Sequence, residues 1–230
     1  MSRIFLFIFL PLATVALGTG FYEAVRGEPD VDDRLPYYNH VPNKRAFKLN
    51  NKAMGFSDEF QSRFLWDDKP KEAIALLDEA IGIDPLYTMP YYNKCLLLMK
   101  ERNFPEALKA IKKNILLNPR EPIYYVFASA ISKAMKKDEE ALKYHNKAIR
   151  ACELQLKDKP NDIRFRQGIY FLYASIGEKE KAIEGLEKML QDEPGNALTE
   201  TLMDQIKSGQ IKIMEIPDEE PCHTMDKLNR

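Results

Sequence analysis

PEALKAIKKNILLNP, residues 105–119, decides the fold. It opens on Pro105, carries Ala107, Ile111 and Ile115 at helical spacing, and closes on Pro119. A proline in a helix's first turn loses nothing, because that N–H has no partner inside the helix. A proline at the far end forces the residue before it out of helical backbone. The stretch therefore reads as one amphipathic helix of set length, with Ala107 small enough to let a neighbouring helix come close. The pattern recurs as KEAIALLDEAIGIDP at residues 71–85 and EKAIEGLEKMLQDEP at residues 180–194. Each copy has an alanine, an apolar residue four positions on and a proline twelve positions on.

The anchoring alanines are Ala73, Ala107, Ala141 and Ala182, with gaps of 34, 34 and 41 residues. A gap of 34 leaves room for a second helix before each copy. Met89–Lys100, Ile123–Met135 and Ile163–Ser175 supply it, with Tyr91, Cys95 and Leu98, then Tyr125, Ala128 and Ser129, then Ile169, Tyr170 and Tyr173 on one face. Residues 54–66, with Phe56, Phe60, Phe64 and Leu65, are the expected first helix of the first pair. After Ala141 no proline appears until Pro160, so the second helix of the third pair is predicted to run two turns longer, by about 10 Å.

A 34-residue unit of two antiparallel helices resembles the tetratricopeptide repeat family over residues 54–208. The resemblance divides the chain into units at 54–87, 88–121, 122–162 and 163–196, with a capping helix at 197–208. It implies an all-α fold: a right-handed superhelical solenoid of about four helix pairs, its concave groove lined by the first helix of each pair and used to hold peptides or proteins. By resemblance the groove is lined by Met89, Tyr92, Leu96, Met99, Ile123, Val126, Ala130, Gln167 and Phe171. That set is rich in methionine and aromatic side chains, which adapt to varied apolar ligands. The alternative is a groove covered in cis, by residues 37–47 or by the tail. Three positions depart from the family pattern: Asn114 and Tyr170 where small residues are usual, and Lys94 where an apolar one is. The lysine and asparagine clamp of family members that grip acidic chaperone C-termini is replaced by Asp58 and Ser62, so a cytosolic co-chaperone is not expected.

Outside the repeats, residues 4–22 are a run of 19 uncharged side chains behind Arg3, followed by a mostly acidic stretch. A basic start, an apolar run and an acidic exit describe a signal anchor, an N-terminal hydrophobic helix spanning the membrane, or a cleaved signal peptide, within residues 1–25. The expected location is the periplasm, with the chain held to the inner membrane by residues 4–22; the alternative is a cleaved signal and a soluble periplasmic or secreted protein. Residues 26–53 read as linker, with Pro29, Pro36 and Pro42, and residues 209–230 as a flexible tail.

The chain has 230 residues, 34 basic and 35 acidic, for a net charge of -1, which excludes the basic excess of a nucleic-acid binder. A hydrophobic fraction of 45% excludes wholesale disorder. The lysine groups at 109, 112 and 113 and at 133, 136 and 137 read as solvated faces. Three scattered cysteines, Cys95, Cys152 and Cys222, form neither a disulfide framework nor a zinc ribbon. His40, His145 and His223 lie in separate segments, and no phosphate loop, dinucleotide fingerprint, metalloprotease helix or nucleophile elbow occurs. No catalytic residue, cofactor, metal or small-molecule substrate is expected. The expected function is a non-catalytic protein–protein interaction scaffold outside the cytoplasmic membrane, binding an apolar segment of a protein or peptide partner. A periplasmic chaperone or immunity-type protein, and an accessory subunit of an envelope enzyme complex, are the other readings.

Overall fold

The computed structural model describes residues 38–55 and 69–210. Among them every regular element is a helix: α1 (Lys44–Ala53), α2 (Pro70–Ile83), α3 (Thr88–Lys100), α4 (Phe104–Leu117), α5 (Pro122–Ala134), α6 (Asp138–Asp158), α7 (Ile163–Ser175), α8 (Lys179–Asp192) and α9 (Ala197–Lys207). Each packs on the helix before it and the helix after it, and α9 also reaches back to α7. The expected N-terminal hydrophobic helix at 4–22, the aromatic residues 56–66 and the tail beyond 210 lie outside the described residues.

Two kinds of helix end alternate. The first helix of each pair ends in a left-handed residue: Gly55, Arg102, Lys136 and Gly177, with φ of 78°, 57°, 58° and 92°. Behind that residue the chain turns back and donates to the last turn, as in Asn103 N–H to Leu98 O (2.8 Å), Lys137 to Ser132 (2.9 Å) and Glu178 to Tyr173 (3.0 Å). The second helices end the other way. Asp84, Asn118, Lys159 and Glu193 take extended φ of -140°, -142°, -135° and -132°. The proline that follows each of them imposes this, as the sequence pattern requires. α9 ends with Gly209 at φ 71° and Gln210 N–H on Gln205 O, so the terminal helix is built like the first member of another pair.

The 34-residue register has its own signature in hydrogen bonds. Tyr91 Oη donates to the Pro85 carbonyl at 3.2 Å, and Tyr125 Oη to the Pro119 carbonyl at 2.9 Å, the same bond one unit on. The extra length in the third pair is present: α6 has 21 residues where α4 has 14, about 10 Å more. The anchoring alanines Ala73, Ala107 and Ala182 are fully buried. Ile111 and Ile115 are also fully buried, and each such side chain stabilises the fold by about 1.5–3 kcal/mol.

One boundary is corrected. Residues 44–53, read as linker, are helix α1, and Met54, expected to start a helix, is the cap that ends one. Asn43 starts α1 by accepting from the Arg45 N–H. Its inward face is Ala46, Asn50 and Ala53, spaced for a helix but small or polar, so no apolar stripe marks it. α1 packs on α2.

The departures from the family pattern are accommodated. Buried Asn114 donates to the Thr88 carbonyl at 2.9 Å and accepts from the Tyr92 N–H at 3.1 Å, tying α4 to the first turn of α3. Lys94 pairs with Asp78 across α3 and α2. Tyr170 is matched by Gly185: a Cβ there would lie 1.9 Å from the Tyr170 ring.

Candidate functional site

The groove positions fall into three groups. On α3, Tyr92, Leu96 and Met99 are half-buried, packed by one side on the central core and open on the other. Met89 instead packs towards α1 and α2, beside Tyr87. On α5, Ile123, Val126 and Ala130 are 6%, 8% and 2% exposed, so the middle of the expected groove is closed. On α7, Gln167 is half-buried and donates to Thr199 Oγ1 at 2.9 Å, which commits its amide to α9. Phe171 packs on both the central core and the C-terminal one. The open apolar positions are therefore Tyr92, Leu96 and Met99 on one side of α5 and Phe171 on the other.

At the N-terminal ends of α3 and α5 the structure gathers, around Tyr92, residues that were not among the expected groove positions. Tyr92 meets Phe127 edge-on at 5.3 Å between ring centroids, and Tyr124 at 6.2 Å. The hydroxyls of Tyr38 and Tyr124 both lie against Thr88. Burial pushes Tyr38 up to about 12, and pushes Tyr92 and Tyr124 upward as well, so all three phenols stay protonated. Glu121, the N-cap of α5, has Oε1 buried with no hydrogen-bond partner. Burial lifts its carboxyl to about 7 against the Ile123 N–H and Arg164, which pull it down. The signal for this cluster was Tyr124 and Tyr125 in tandem: one tyrosine faces the Pro119 turn, the other faces α3.

The segment before α1 is fixed to the same end. Tyr38 Oη donates to the Leu86 carbonyl. His40 Nε2 bridges both oxygens of Asp84 at 2.8 Å, and the Asn43 N–H donates to the same carboxylate at 2.8 Å. Burial raises the Asp84 carboxyl, but the Asn43 N–H and His40 outweigh it and hold the group below the usual carboxylate range. Tyr38 holds this segment to the Leu86 end, whereas Phe47 is 46% exposed.

No protein-family model matches the chain, and no curated protein matches it. Solved structures do. YrrB, a tetratricopeptide-repeat protein with an unusual peptide-binding site, is 16% identical, covers 69% of this chain and 76% of its own, with a TM-score of 0.40. A thermophilic repeat protein of the same kind from Thermus thermophilus is 18% identical, covering 72% of this chain and 80% of its own, with a TM-score of 0.45. MamA is 18% identical over 65% of this chain and 86% of its own, with a TM-score of 0.41. These are likenesses of helical trace; the paired-helix register stands on its own hydrogen bonds.

Burial pushes the thiols of Cys95 and Cys152 well above the ordinary range, so both stay protonated. His145 is buried and bonds to the Leu172 carbonyl at 3.0 Å, which makes Nε2 the protonated nitrogen. Among the described residues no group of three His, Cys, Asp or Glu is placed to hold a metal ion, and no helix is long and apolar enough to cross a membrane.

Proposed function

We propose that this chain is a non-catalytic scaffold that grips an apolar stretch of a partner polypeptide along the C-terminal halves of its first helices. The observation that carries this is the set of half-buried apolar side chains on either side of α5: Leu96 and Met99 on α3, Phe171 on α7. Each is seated on the core by one face, so its position is fixed before a ligand arrives, and a fixed apolar surface binds with little ordering cost. The buried thiols and the neutral, hydrogen-bonded His145 support a binding role over a chemical one. The apolar run at residues 4–22 behind Arg3 supports placement on the periplasmic side of the inner membrane, with that run as anchor.

The test is photo-crosslinking in intact cells from position 99, with exposed Lys113 on α4 as the outward control. A discrete adduct from 99 and none from 113 is expected. Equal labelling from both positions, or none from 99, overturns the reading. A reporter active only outside the cytoplasm, fused after Arg230, tests the location; silence with good expression overturns it.

A further inference from the structure

Glu121 stands where four helices meet. It opens α5 on the turn behind Pro119, and its charge is felt by Tyr92 of α3, Tyr124 of α5, Cys152 of α6 and Arg164 of α7. Burial keeps the two phenols and the thiol protonated, and Arg164 is the cation that acts on Glu121. That guanidinium is held by Asp162, through Nε at 3.0 Å and a terminal nitrogen at 2.6 Å. The Arg164 side chain in turn holds the Asp162 carboxyl below the usual range. Two acids therefore share one guanidinium. Asp162 has the hydrogen bonds, while Glu121 keeps an oxygen buried without a partner. The backbone under Glu121 is pinned as well. Gln155 donates to the Arg120 carbonyl at 2.9 Å, and buried Arg120 pairs with Asp158. Both anchors lie in the last two turns of α6, the stretch that makes this helix longer than α4.

We propose that Glu121 is a proton-operated joint between the third and fourth helix pairs: protonated, it is sealed between α3, α5, α6 and α7, and on losing its proton to water it draws Arg164 off Asp162 and loosens the N-terminal turns of α5 and α7. The sign follows from burial. Desolvation outweighs the Ile123 N–H and Arg164, and lifts the carboxyl from 4.5 to about 7 on folding. The folded chain therefore keeps a proton that the unfolded chain has lost. The stability this brings is complete below 4.5 and is lost as pH rises through about 7. His145 acts in the opposite sense, so the two are separated by variants and not by the native profile alone. The pinned turn keeps the backbone from carrying the new charge out to water, and compensation has to come from Arg164. Tyr92 belongs to the expected groove, so the joint adjoins the concave face, and it stands whether or not that face holds a partner.

The experiment follows the Glu121 side-chain carboxyl by carbon-13 NMR in the purified full chain, with the signal assigned through its own backbone. A midpoint of about 7 is expected. Asp162→Asn keeps an N-cap oxygen for α7 but removes the charge that holds Arg164, and the Glu121 midpoint is expected to fall towards the usual carboxylate range. Hydrogen-exchange protection factors in the first two turns of α5 and α7 are compared at about pH 5.5 and about pH 8. They are expected to drop severalfold in the native chain and to stay level in Glu121→Gln, whose side chain has no cap bond to lose. A native midpoint in the usual carboxylate range overturns the proposal. So does a midpoint indifferent to Asp162→Asn, or an equal loss of protection in Glu121→Gln. If Glu121→Gln does not fold, the two titrations decide by themselves.

Discussion

Asn93 donates from Nδ2 to Oδ1 of Asn50 at 2.8 Å, with both residues buried, and this bond joins the first helices of two successive pairs. It ties α1 to α3 beside the apolar cluster of Ala53, Ala73, Leu77 and Leu97. The same bond explains why α1 was hidden in the sequence, since its inward face spends a position on an amide.

Replacing Asn93 with leucine strands the Asn50 amide in the interior. Stranding a buried polar group costs about 1–3 kcal/mol. Chemical denaturation is expected to show Asn93→Leu losing that amount, with the Asn50→Leu/Asn93→Leu pair losing less than the sum of the single changes. Strict additivity would mean that the two amides do not act together.

The Gly185 and Tyr170 match predicts a sign reversal. Alanine ordinarily stabilises a helix interior over glycine by about 1 kcal/mol. Here the added methyl meets the Tyr170 ring, and overpacking of that kind costs about 1–3 kcal/mol. Gly185→Ala is expected to lower the melting temperature in the native background and to raise it in a Tyr170→Ala background.

The repeated tyrosine bond predicts unequal effects at equivalent positions. Tyr125 is fully buried, so Tyr125→Phe removes the Pro119 bond at a cost of about 1 kcal/mol. Tyr91 lies at the surface, where water replaces the Pro85 bond, and Tyr91→Phe is expected to leave stability unchanged within error. Denaturant midpoints of the two variants check this.

His145 gives the fold a pH dependence of known sign. Burial lowers its pKa, and the Leu172 carbonyl and Glu178 only partly restore it. In the unfolded chain the ring takes up its proton near pH 6.5, and in the folded chain it does so lower. The unfolded state therefore binds more protons as pH falls below about 6.5, and stability is lost there. Melting temperatures at pH 7.5 and 5.5 are expected to differ less in His145→Gln than in the native chain. The carboxylates common to both chains cancel in that comparison.

What the sequence made legible follows from which residues carry the information. The proline stops at 85, 119, 160 and 194 and the anchoring alanines fixed α2 to α8 and the lengthened α6, because proline and close approach are local constraints. α1 was illegible because Asn50 faces inward through a partner 43 residues away. The closed centre of the groove was illegible for a similar reason. Ile123 and Val126 read as open by resemblance, and only in the folded chain do both belong to the central core.

The central claim is that the apolar row on α3 grips another polypeptide. It is tested most directly by the affinity of the polypeptide captured from position 99 for the purified full chain, measured by calorimetry with Met99→Glu and Lys113→Glu as variants. A charge at a desolvated apolar contact is expected to weaken binding at least tenfold, about 1.4 kcal/mol, in Met99→Glu, with Lys113→Glu unchanged. Equal affinity for all three chains would contradict the account.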